Sequence, residues 1–178
     1  MDRDRMAPVG WATGQAGPEA QPVFNPSRPD MTPENSVILP VSDTFSFLSH
    51  VFNQLGCTPI MQTEFFLAWA PRFSRINDYW THIAFRFVDP VAFNNVARLT
   101  VKTPDSASIP HVMARILLLF GGVRTTKSAW KRRVKTLAQA MQIDWVNAIN
   151  LDVGGMRDSS KLRIVEMGAM EVPLFKES

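Results

Sequence analysis

At 178 residues, with 46% hydrophobic content, 12 Phe and 5 Trp, the chain holds enough apolar material for one sizeable core, which excludes disorder throughout. A single cysteine, Cys57, excludes an intrachain disulfide framework and a Cys-rich zinc cage, and fits a reducing compartment in which the thiol is a small hydrophobe. Net charge is only +3, yet Arg115, Arg124, Lys127, Lys131, Arg132, Arg133 and Lys135 share one stretch with no Asp or Glu, so the basic excess is local.

Residues 1–41 contain Pro8, Pro18, Pro22, Pro26, Pro29, Pro33 and Pro40 without sustained periodicity, which predicts an extended, flexible N-terminal arm. Its opening, Asp2-Arg3-Asp4-Arg5, lacks the apolar segment of a secretory signal. Phe45, Leu48, Phe52 and Leu55 then recur at helical spacing behind Ser42 and Asp43, with Gly56 as a stop. Thr58-Pro59 has the form of a cap followed by a first-turn proline, and predicts a second helix that ends at Pro71. In "THIAFRFVDP", Ile83, Phe85 and Phe87 alternate with Ala84, Arg86 and Val88, a half-buried strand.

"HVMARILLLF", opened by Ser108-Ile109-Pro110, is apolar nearly all round and predicts a buried third helix broken by Gly121-Gly122. A fourth helix is predicted over 128–151, with Trp130, Val134, Leu137, Met141, Trp145 and Ala148 on one stripe and Gly154-Gly155 as its end. The segment 156–178 alternates weakly and predicts an extended tail or strand. The expected fold is therefore mainly α: a small antiparallel four-helix bundle over 42–155 with a minor β element and an extended N-terminal arm.

Little of this sequence supports catalysis. His50, His82 and His111 have neither metal-ligand spacing nor a motif partner, and the two Gly pairs lack the remainder of a phosphate loop. The expectation is a protein that is not an enzyme, with no cofactor and no metal. The longest apolar run, "ILLLFGGV", is too short to cross a bilayer.

The basic stretch points elsewhere. If the fourth helix forms, Arg124, Lys127, Lys131, Arg132 and Arg133 sit before and within its first turns, where cations oppose the helix dipole and a phosphate would be favoured. The plain alternative is a solvated basic turn. Trp130 falls on the core stripe, so base stacking is not indicated and the expected contact is phosphate-directed.

Four places in this order resemble the coat proteins of rod-shaped plant viruses, the tobamoviruses and the more distant benyviruses. "FNQLG" is similar to the end of that family's first helix, and "NDYW" to its Ser-Glu-Val-Trp. "FRFVDP" resembles its Arg-Phe-Pro-Asp strand, and "IPHVMARILLLF" followed by "VRTTK" and "KRRV" resembles its third helix, RNA loop and fourth-helix start. The resemblance implies self-assembly into a helical capsid around single-stranded genomic RNA, hence a place in the virion and in the host cytoplasm during assembly. It puts Arg124, Lys127, Arg132 and Arg133 against RNA, with Lys131 added from the basic cluster, and it sets Asp78 at a subunit contact; a further carboxylate such as Asp105 or Glu64 is expected near it. Lys135-Thr136 and Gly121-Gly122 stand where tobamoviruses carry aspartates. A competing expectation is a matrix or adaptor protein that docks its basic turn on an anionic membrane or nucleic acid.

Overall fold

The computed structural model describes residues 23–101, 112–125 and 129–174. The chain does not form a four-helix bundle. It forms a four-stranded mixed sheet of order β1-β2-β3-β4, built from β1 (Val37–Pro40), β2 (His82–Phe87), β3 (Val112–Val123) and β4 (Arg163–Glu171). The β1–β2 and β2–β3 pairs are antiparallel, and β3–β4 is parallel.

Local signals decide the first helices. In α1 (Thr44–Gln54), Phe47, Leu48, Val51 and Phe52 are buried on one face. Gly56, at φ 78°, closes the helix: the Cys57 amide donates to the Phe52 carbonyl at 2.9 Å and the Gly56 amide to Asn53 at 3.2 Å, the two bonds of a Schellman end. The Thr58 hydroxyl then caps α2 (Pro59–Tyr79), accepting from the Met61 amide at 3.3 Å. Pro71 does not end this helix, which continues through Phe73 and Ile76 because both bury against the core. The Asp89 carboxylate caps α3 (Pro90–Val96) through the Val91 and Ala92 amides.

The predicted third helix is instead β3. Its apolar run is continuous because both faces of the strand are covered, the pattern of a buried strand rather than of a buried helix. Ala114, Ile116, Leu118 and Phe120 enter one cluster with α1, α2, Trp145 and Ile149. Leu117, Leu119 and Val123 enter a second cluster with Phe24, Met31 and Ala92. Gly121 and Gly122 lie inside the strand and stop nothing.

The predicted fourth helix is also not continuous. Lys131–Arg133 is one 3-10 turn, Val134 bridges to Ile38 beside β1, and the chain then makes three short helices, α4 (Leu137–Met141), α5 (Trp145–Ile149) and α6 (Val153–Arg157). Two N-caps divide it and a third opens α6 beyond its predicted end: Thr136, Asp144 and Asp152 accept from the amides of Gln139, Asn147 and Gly155. Asn150, left-handed at φ 55°, ends α5, and Gly154-Gly155 falls within α6. These helices carry the crossover that a parallel β3–β4 pair requires. Of the expected arm 1–41, residues 1–22 lie outside the described residues; within the rest, Val37 and Leu39 of β1 enter the first cluster, and residue 155 lies inside α6.

Candidate nucleic-acid interface

The basic residues separate into a buried member and an exposed set. Arg115, on β3, is 4% exposed, and its guanidinium donates to Glu166 at 2.6 Å, to Asn94 at 2.9 Å and to the Ala97 carbonyl. It also stands 4.1 Å over the Phe93 ring. This arginine holds α3 and β4 to the sheet and is not a surface cation.

Arg124 follows the last residue of β3 and is exposed. Its guanidinium lies 5.2 Å from the centre of the Trp80 ring, a cation–π distance. Trp80 itself packs flat against β3, where only glycine leaves room: a Cβ on Gly122 would come within 2.2 Å of the indole. His82 sits beside them, with its Nδ1 2.9 Å from the Thr81 hydroxyl and 3.4 Å from that of Thr125. Tyr79, at the end of α2, is 77% exposed.

Lys131, Arg132 and Arg133 are all exposed on the 3-10 turn, which is fixed by two bonds to its flanks. The Arg133 amide donates to Trp130 at 3.0 Å and the Lys135 amide to the Ile38 carbonyl at 2.9 Å. Val134 therefore lies outside β1, three strand spacings from β3, or about 14 Å. The turn runs parallel to β1 into this bridge, so the two basic groups occupy one flank and one end of the sheet. Among the described residues none of Arg124, Lys131, Arg132 and Arg133 pairs with a carboxylate. Lys127 lies outside the described residues. Because the turn is not the start of a long helix, the dipole argument for a phosphate site does not hold, and side-chain charge remains.

Asp78 is exposed in the last turn of α2, on the rim of a depression of about 300 Å³ with Ser42, Thr44, Phe45 and Phe73. Glu64 is fourteen residues earlier on the same helix, about 21 Å away, so the two are not neighbours within one chain. Asp105 lies outside the described residues. Sequence reasoning missed Trp80 as a companion of Arg124, because the pairing of His82 with Val123, rather than sequence proximity, joins them.

Among the described residues no group of His, Cys, Asp and Glu is arranged to hold a metal, and no helix is long and apolar enough to cross a membrane. Comparisons of the chain with protein-family models, with curated proteins and with solved structures find no match.

Proposed function

We propose that the protein is a structural, coat-type protein that binds single-stranded RNA through phosphate contacts, and that Arg124, Lys131, Arg132 and Arg133 make those contacts, with Lys127 between them in sequence. The supporting observation is that the four described side chains are exposed and have no described carboxylate partner. Grouped cations without counter-charge raise the energy of the free protein and favour a polyanion. The Trp80 ring beneath Arg124 holds that guanidinium at the sheet end, and the contact with RNA is through phosphates.

The test is a salt titration of binding to two unrelated RNAs. Each phosphate contact on a single strand contributes roughly −0.7 to the slope of log affinity against log salt, so four contacts give about −2.8. Replacing the four residues by Gln should flatten that slope and weaken both RNAs alike, while exposed substitutions leave the melting temperature nearly unchanged. Retained affinity and slope in the variant would remove this interface. Binding to anionic vesicles with no binding to RNA would favour the matrix or adaptor role instead.

A further inference from the structure

We propose that β4 is the docking edge for a second copy of this chain, and that two copies join their sheets antiparallel about a two-fold axis at Met167. This inference rests on the geometry of β4 and is independent of RNA binding. The sheet has two ends, and they differ. The outer side of β1 is occupied by Val134 and Lys135, with the Lys135 amide bonded to Ile38. Among the described residues no strand pairs with the outer side of β4, which runs nine residues without proline. A long edge of this kind is normally blunted by proline, by a bulge or by an unpaired charge. Here Glu166, within the strand, is already held by Arg115 at 2.6 Å.

The sequence of β4 is complementary to its own reverse. In an antiparallel pair about a two-fold axis, facing residues lie on the same side of the sheet, so only registers centred on a residue are allowed. Centred on Met167, Arg163 faces Glu171 at both ends, Ile164 faces Met170, Val165 faces Ala169, and Glu166 faces Gly168. Centring on Glu166 would set two glutamates against each other. Centring on Gly168 would set Glu171 against Val165 and Arg163 against Pro173. Glu171 also receives Arg75 at 2.7 Å and Arg72 at 3.3 Å, so the arriving Arg163 shares an occupied carboxylate. The charged ends therefore select register more than they add affinity.

Affinity comes from the middle of the strand. On the α2 side, a groove of about 290 Å³ borders β4, lined by Met61, Phe65, Trp69, Val165 and Met167, with Glu64 at its rim. The same register carries the second copy's Val165 and Met167 onto this side, where two methionines meet over the groove and adapt to its shape. With one such open edge among the described residues, pairing closes at the dimer.

Sedimentation equilibrium of the full chain without RNA should give twice the 20.0 kDa chain mass at micromolar concentration. Met167→Lys sets two ammonium groups together at the axis and should weaken association on the order of 100-fold or more. A second variant is independent of that substitution's effect on folding. Met167→Cys in a Cys57→Ala background should form a disulfide-linked dimer on mild oxidation, whereas Arg163→Cys in the same background should not, because its two copies lie far apart. A monomer at every concentration overturns the proposal, and so does a dimer that crosslinks at position 163 rather than 167.

Discussion

Arg115 shows how one side chain can be counted with a basic stretch and belong to the core. Its partners, Glu166, Asn94 and Ala97, come from α3, its flank and β4, up to 51 residues away, so nothing near it in sequence announces burial. Arg115→Met keeps apolar bulk but removes the charged hydrogen bonds. Glu166, half exposed, rehydrates, and the expected loss is about 2 kcal/mol. Chemical denaturation should report that loss, while RNA affinity per folded molecule stays unchanged, the opposite of the outcome for Arg132→Gln. Cys57 gives a second prediction. Burial pushes its thiol up to about 11 from 9.0. The folded chain therefore favours the neutral thiol, and that contribution is fully present below pH 9 and is lost as pH rises toward 11. Between pH 7.5 and 10.5 the native chain should lose about 2 kcal/mol more than Cys57→Ala, read from urea midpoints at the two pH values.

Elements defined by their own ends were legible in the sequence, and elements defined by what covers them were not. The Gly56 stop, the Thr58-Pro59 start and the alternation of β2 all rest on bonds or contacts within a few residues. β3 was misread because an all-round apolar run fits a buried helix and a strand covered on both faces equally well. The stretch 128–151 does carry apolar residues at helical spacing, but the caps at Thr136 and Asp144 were visible signals, and Thr136 with Gln139 forms a capping box. For the candidate site, the charge of Arg124 and Lys131–Arg133 was legible, whereas the removal of Arg115 and the arrival of Trp80 depend on strand pairing. Both glycine pairs were expected to stop helices, and they now separate. A Cβ on Gly121 would lie 2.3 Å from the Val172 carbonyl, backbone against backbone, so Gly121→Ala should cost about 2 kcal/mol or more. At Gly154, within α6, the nearest atom is 3.6 Å away, and Gly154→Ala should stabilise by up to about 1 kcal/mol. Thermal melts of the two variants should therefore shift in opposite directions.

At the scale of the whole molecule, the sheet is the middle of three layers, and its two faces are covered by different kinds of chain. One face takes α1, α2 and the short helices of the crossover. The other takes α3, Trp130, Leu174 and the segment that carries Phe24 and Met31. That segment belongs to the stretch expected to be an extended arm; Phe24 and Met31 in it are each 8% exposed and pack with Leu117, Leu119 and Val123. Phe24 meets Phe93 edge to face at 6.5 Å, Asp30 pairs with Arg86 at 3.3 Å, and Asn35 fixes the turn by accepting from the Thr32 amide at 2.8 Å. Proline removes an amide donor without preventing the residues around it from burying apolar side chains, so the prolines of residues 23–41 are compatible with this packing. Phe24→Ala removes a buried ring and should cost about 3 kcal/mol. In a chain of this size each kcal/mol lowers the melting temperature by roughly 2–4 °C, so the expected fall is roughly 6–12 °C. Deleting residues 2–36 removes both Phe24 and Met31 from that face and takes several kcal/mol from a total that is typically about 5–15. The truncated chain should melt far lower than Phe24→Ala and bind a hydrophobic dye. An unchanged melt in both would mean that Phe24 and Met31 leave the sheet in solution and that α3, Trp130 and Leu174 cover this face without them.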